Sequence, residues 1–178
     1  MTAGSLETGD VLWQKGEAVD SPEVEKLTTD LPFQIYDIDN DGIDEVITSW
    51  DFRLFILDGR TGEVKKNIPT PLNTAPEDTV TGLEFGKYAF SRLNVDAIRI
   101  VNVSGKPRPE EILIKDRYSR YWIYDRDLNL EWEFSKYNTG HFPYSYDFNG
   151  DGREEIFSCY NMVDSRGKLL WSLPIAHS

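Results

Sequence analysis

A chain of 178 residues, 39% hydrophobic and 13% aromatic, has material for one packed domain or a few small repeats, which excludes a disordered chain. The formal net charge of −12 argues against nucleic acid and anionic membrane partners, and it suits a protein that carries bound cations. No apolar run reaches membrane-spanning length, and one cysteine, Cys159, cannot form an intrachain disulfide.

The first twenty residues contain "GDVLW" at Gly9–Trp13, which reads as the trailing strand of a preceding unit. No charged start and apolar block of a signal peptide stands ahead of it, so the opening reads as an internal stretch of a longer protein. "SPEVEKL", Ser21 to Leu27, is at most a turn, and no amphipathic helix is expected anywhere.

A unit predicted over 31–68 begins with "YDIDNDGIDEV". Asp37, Asp39 and Asp41 alternate, Gly42 follows, and Glu45 opens an apolar strand. That many carboxylates repel one another unless a cation sits among them. Calcium takes six to eight oxygen ligands, and aspartates at positions 1, 3 and 5 supply three. A glycine at position 6 permits the sharp turn that brings in the carbonyl of residue 7, here Ile43. Glu45 closes the ring at position 9. Helix and distant glutamate of an EF-hand are both missing, so this is a calcium loop between strands, and magnesium fits so many fixed ligands poorly.

Residues 68–95 form the longest connection, and a second unit over 96–135 follows it. Its loop "VNVSGKPRPEEILI" is a degenerate copy, in which Asn102 and Ser104 stand at ligand positions and Lys106 would repel a cation, so it is expected to be empty. The third unit, 141–175, restores the pattern in "YDFNGDGREEIF". There Asp147, Asn149, Asp151, the Arg153 carbonyl and Glu155 match the first loop position for position, which gives two calcium sites. Each loop leads into two strands and a polar turn, and then into a third strand: "GEVKK", "LNLEW" or "GKLLW".

Short antiparallel sheets repeated at this spacing predict an all-β fold of about three β-propeller blades, a partial propeller or a fragment of a larger one. Three blades cannot close a ring, so the remaining blades of a parent chain or a homo-oligomer are expected partners. Trp50, Trp122, Trp132 and Trp171 are expected to pack between blades, and Cys159 to be a small buried apolar residue. No catalytic serine set, zinc cluster or phosphate loop is present.

The acidic loops resemble the FG-GAP/VCBS-type calcium repeats of β-propellers. "ILIKDRYSRYWIYDRDLNLEW", "NTGHFPYSYDFNGDGREEI" and "DSRGKLLWSLPIAHS" are similar to blades of bacterial rhamnogalacturonan-lyase-like propellers. The resemblance implies a calcium-stabilised segment of an exported carbohydrate-active protein, extracellular or periplasmic, acting as scaffold or glycan-binding surface. A second implied reading is part of a polysaccharide lyase performing β-elimination on a uronic-acid polysaccharide, and a third is an integrin-like adhesion module. Whether this segment is itself an enzyme stays open, with the balance toward no. For a lyase, His141, Tyr144 and Tyr146 are candidate proton-transfer groups. Arg117 and Tyr118 are candidates for holding the uronate, because arginine suits bidentate carboxylate contact.

Overall fold

The computed structural model describes residues 1–16, 31–72, 91–117, 119–136 and 138–174. The expectations for Ser21–Leu27, for Tyr118, and for most of the 68–95 connection lie outside the described residues.

Among the described residues every regular element is a strand. A hairpin of β1 (Thr2–Gly4) and β2 (Val11–Gln14) is followed by three four-stranded antiparallel sheets. These are β3 (Phe33–Tyr36), β4 (Glu45–Trp50), β5 (Arg53–Asp58) and β6 (Val64–Pro69); then β7 (Ala97–Val101), β8 (Glu111–Lys115), β9 (Arg120–Tyr124) and β10 (Leu130–Ser135); and β11 (Tyr144–Tyr146), β12 (Glu155–Ser158), β13 (Asn161–Val163) and β14 (Leu169–Ser172). Each sheet is a simple meander, the form of a propeller blade, and the described residues do not close a ring. Each acidic loop joins the first two strands of its sheet. β1 is absent from the sequence reading because Thr-Ala-Gly carries no alternating or β-branched signal; pairing with β2 creates it.

Composition explains which strands lie where. "EVITSW" and "RLFILD" are buried on both faces as the middle strands of the first sheet, while "VKKNIP" is exposed along its outer edge. Between β4 and β5 only Asp51 and Phe52 intervene, both at positive φ, which matches the twist of a tight hairpin. The Thr70 amide and hydroxyl both donate to the Phe52 carbonyl and hold that turn.

The outer hairpins are one design repeated four times. Ala3 pairs with Trp13, Ile56 with Lys66, Ile123 with Trp132 and Met162 with Trp171, each beside a register shift. Gly9, Gly62, Leu128 and Gly167 occupy the same turn position, all at positive φ. The turn aspartates Asp58, Asp125 and Asp164 accept backbone amides to close three of these turns.

Neighbouring sheets meet through three apolar layers. One lies under the N-terminal hairpin around Trp13, Val46, Phe55 and Leu57. The second joins Ile38, Ile47 and Ile56 of the first sheet to Ile112, Ile114 and Trp122 of the second. In the third, Val103, Leu113, Tyr121 and Ile123 face Ile156 and Val163. At the outer rim, a residue from the N-terminal hairpin and from each of the first two sheets rests on the turn of the next unit. Trp13 covers Gly62 and donates its indole N–H to the Gly59 carbonyl at 2.9 Å. Trp132 covers Gly167, and Lys66 instead donates to the Arg126 carbonyl and pairs with Asp127.

A Cβ on Gly167 would lie 2.7 Å from the Trp132 ring, whereas among the described residues nothing lies within 4 Å of one on Gly9 at the same φ. Gly167→Ala is therefore expected to cost on the order of 2–3 kcal/mol and Gly9→Ala only about 1, measured by urea unfolding. Equal losses would mean that the indole contact contributes nothing.

Two expectations need correction. Trp171 packs on its own sheet, with its ring 5.7 Å from Phe157 and its N–H on Met162 Sδ, and stays 40% exposed because no sheet follows it among the described residues. Cys159 is half-buried rather than buried, because it sits at positive φ in the turn between β12 and β13.

Candidate functional site

The first and third acidic loops share one hydrogen-bond pattern. Asp37 accepts from the amides of Asp41 (3.0 Å) and Gly42 (3.1 Å), and Asp41 accepts from Ile43 (2.9 Å). Asp147 accepts from Asp151 (3.1 Å) and Gly152 (2.8 Å), and Asp151 accepts from Arg153 (2.9 Å). Gly42 and Gly152 take the positive φ that a turn bringing carboxylates together requires. The buried Glu45 and Glu155 each accept the amide of the residue after the first aspartate, Ile38 or Phe148, at 2.9 Å. Each glutamate is thus tied to its loop from the first residue of the following strand.

The loops differ in how their charge is balanced. Lys65 of β6 reaches the first loop and donates to Asp39 (2.7 Å), Asp41 (3.3 Å) and Glu45 (2.7 Å). Its ammonium holds the Asp39 carboxyl below the usual range, and these carboxylates in turn raise the lysine. Oxygens of Asp37, Asp39 and Glu45 lie within 4.8 Å of one another, a spacing that suits a metal ion. The register that places Lys65 there places Leu170 in the third sheet. Among the described residues no lysine or arginine pairs with Asp147, Asp151 or Glu155; Asn149 Nδ2 donates to Glu155 at 2.7 Å instead. The third loop therefore offers oxygens with no built-in cation.

In the degenerate loop the Lys106 ammonium donates to Glu110 at 2.7 Å and lies 3.7 Å from Glu111, standing where a metal would. Arg108 leaves this loop, crosses to the first one, donates to the Asp37 carbonyl and to Asn40, and stacks on Tyr36 with 5.0 Å to the ring centroid. Glu154 and Asn102 join the second and third loops, with amides donating to the partner's carbonyl (2.9 Å) and carboxylate (2.8 Å). Adjacent loops are braced together.

A second cluster lies at the opposite ends of the strands, roughly 17 Å away across the five residues of β8. Its hub is Asp96, buried just before β7, which contacts Arg117 Nε at 3.3 Å and His141 Nδ1 at 3.0 Å. Arg117 and His141, 24 positions apart, are thus brought onto one carboxylate. Lys115 is fully buried beneath them and donates to the carbonyls of Gly140 (2.6 Å) and Asp116 (2.6 Å) and to the Thr139 hydroxyl (3.0 Å). Burial pushes its pKa down to about 8, with the charges of Asp116 and Asp96 opposing the shift. Tyr144 and Tyr146 instead stand exposed on β11, with Tyr146 edge-on to Phe148 at 5.3 Å.

The sequence reading named Arg117 and His141 but missed Asp96, Lys65, Lys115 and Arg108. Lys65 alone had a local signal, since it is the one cation at its position among the repeated third strands. Asp96 had none, because only the pairing of β7 with β8 brings it to Arg117.

No family model matches the chain, and no curated protein matches it. Solved structures with this fold do exist. The rhamnogalacturonan lyase YesW is 20% identical with a TM-score of 0.59, over 80% of this chain and 31% of that one. The rhamnogalacturonan lyase of Bacillus licheniformis is 21% identical, TM-score 0.59, over 80% and 31%. The biofilm matrix protein Bap1 of V. cholerae is 20% identical, TM-score 0.52, over 79% and 19%. At such identity the likeness establishes the fold, and the chain spans less than a third of the length of any of these proteins.

Proposed function

We propose that this chain is a calcium-stabilised β-propeller segment of an exported carbohydrate-active protein, and that it presents a binding surface for uronic-acid polysaccharide. The observation that carries the glycan reading is the Asp96 hub, which holds Arg117 and His141 side by side at one end of the sheets. Arg117 Nε faces Asp96. In this proposal the Arg117 guanidinium contacts the sugar carboxylate, and His141 hydrogen-bonds a neighbouring oxygen. Lys115 holds the Thr139 hydroxyl and the Gly140 carbonyl just before His141, so the ring is presented on a pinned loop.

Calcium belongs to the acidic loops, which are of the FG-GAP/VCBS type in this reading. Asp37, Asp39, Asp41, Glu45 and the Ile43 carbonyl form one ligand set. Asp147, Asn149, Asp151, Glu155 and the Arg153 carbonyl form the other. Hard oxygen donors without sulfur or imidazole suit calcium. The metal locks the corner between the first two strands of a blade, far from the hub. Extracellular calcium levels suit loops of this kind, which supports export. In this proposal the blades of a parent chain or further copies of this one complete the propeller.

A second reading, β-elimination, is favoured by the His141–Asp96 pair. A buried carboxylate that orients an imidazole is the arrangement of a general base, and Arg117 beside it would neutralise the uronate whose neighbouring proton is removed.

Rhamnogalacturonan titrated into the calcium-loaded protein in a calorimeter tests the first reading. Binding is expected, with Arg117→Ala weakening it by about tenfold or more. The carboxyl-reduced polysaccharide is expected not to bind. Equal binding of native and reduced polymer would remove the uronate assignment. Ultraviolet absorbance of an unsaturated product separates turnover from binding alone.

A further inference from the structure

The two ends of the stack are chemically complementary, and each lacks the partner that the same surface has everywhere else in the molecule. The residue after the first loop ligand is Ile38 in the first sheet, Val103 in the second and Phe148 in the third. The first two are 2% and 5% exposed beneath the following sheet, and Phe148 is 52% exposed. Two residues into the second strand, Ile47 and Leu113 are fully buried between sheets, whereas Phe157 is only half-buried. On the outer strand Trp13 and Trp132 each cap the turn glycine of the next unit, and Trp171 caps no turn among the described residues. The third sheet thus carries a complete docking face with no sheet upon it among the described residues.

At the other end, the β1–β2 hairpin carries the matching turn. Gly9 has the positive φ of Gly62 and Gly167, and its amide donates to the Ser5 carbonyl at 2.9 Å as that of Gly62 does to Asp58 at 2.8 Å. A Cβ on Gly62 or Gly167 would strike an indole at 2.7 Å, while among the described residues nothing lies within 4 Å of one on Gly9. With Lys66 on the Leu128 turn, the described residues therefore hold one capping indole without a turn and one turn without a cap.

From this pairing of free ends we infer that the occupant of the open face is a second copy of the chain, docked head to tail, with Trp171 of one copy on Gly9 of its partner. The interface continues the established rim contacts, Trp13 on Gly62 and Trp132 on Gly167. It is heterologous, so assembly either closes into a ring or grows into a chain. The inference rests on the repeated blade geometry and is independent of the calcium and glycan readings.

Sedimentation velocity on the full chain at tens of micromolar, in calcium, tests it with two variants. Trp171→Ala removes the capping indole. Gly9→Asn keeps a residue that tolerates positive φ and fills the space above the turn. Both sites are open to solvent in the single chain, so circular dichroism and melting temperature are expected to stay near wild type. Wild type is expected to self-associate, and each variant alone to do so about tenfold or more weakly. An equimolar mixture of the two variants is expected to form a one-to-one dimer that grows no further, because each supplies the end the other has lost. A monomeric wild type overturns the proposal, and is the result expected if the face belongs to a further sheet of a longer polypeptide. A symmetric dimer that both variants leave intact overturns it as well. Calcium and polysaccharide binding are measured on the Trp171→Ala protein, so a failure there stands apart from a failure to assemble.

Discussion

Removing calcium with a chelator is expected to lower the melting temperature by roughly 5–10 °C, reversed by calcium and not by magnesium. A ligand at a hundred times its dissociation constant adds about 2.7 kcal/mol, and each kcal/mol moves a chain of this size by about 2–4 °C. Most of that gain is assigned to the third loop. Among the described residues no lysine or arginine pairs with Asp147, Asp151 or Glu155, so a metal meets no competing ammonium there, although only the first loop already holds three carboxylates within 4.8 Å of one another. At the first loop, calcium must displace the Lys65 ammonium from Asp39 and Glu45, each at 2.7 Å. Calorimetry is therefore expected to show one tight and one weak event. Asp151→Ala abolishes the tight event and Asp39→Ala the weak one. Lys65→Met is expected to tighten the weak event by about tenfold or more, because the isosteric chain keeps its packing and loses the competing charge. It also leaves Asp39, Asp41 and Glu45 uncompensated while Asp37 keeps Arg108, so the calcium-free protein should melt lower than wild type. An unchanged melting curve on chelation would defeat the calcium assignment, and two equal sites in wild type would defeat the role given to Lys65.

That asymmetry also shows which features were legible in the sequence. The loops were, because alternating carboxylates followed by glycine have a spacing that few other structures need. The three meanders were as well: "EVITSW", "EILIK" and "EIFS" are short apolar runs bounded by polar turns, and the third strands repeat. Whatever depends on register across strands was not. Lys65 enters the first loop only because β5 pairs with both β4 and β6, bringing residue 65 back to residue 45. Asp96, Arg117 and His141 lie on three separate segments, and no local pattern joins them. Trp171 stands at the same position of its repeat as Trp132, yet Trp132 covers the next turn and Trp171 lies open. Burial between blades is set by the neighbouring sheet in space, which a local window of sequence does not contain.

Stability is expected to rise between pH 8 and pH 10, against the usual alkaline trend, because of Lys115. Its amine titrates near pH 8 in the folded protein, since burial disfavours the ammonium, and near 10.4 in the unfolded chain. Between those values the unfolded chain holds more protons than the folded one, so unfolding grows harder as pH increases. The full span is worth on the order of 3 kcal/mol, or roughly 6–12 °C. Lys65 opposes this only above the ordinary lysine range, because Asp39 and Glu45 raise its pKa and its contribution is lost as it deprotonates. The window from pH 8 to 10 is therefore clear of it. Lys115→Met removes both the penalty and the hydrogen bonds to Gly140 and Thr139. At pH 7 these losses nearly offset each other, so the variant is expected within about 1 kcal/mol of wild type. At pH 10 the neutral amine of wild type keeps its hydrogen bonds without the charge penalty, and the variant is expected to be the less stable protein by about 2–3 kcal/mol. Parallel stability curves for the two proteins across this window would show that Lys115 titrates as an ordinary lysine. Polysaccharide affinity of wild type is expected to fall in a step centred near pH 8, where Lys115 of the folded protein loses its charge, and the Lys115→Met protein is expected to lack that step.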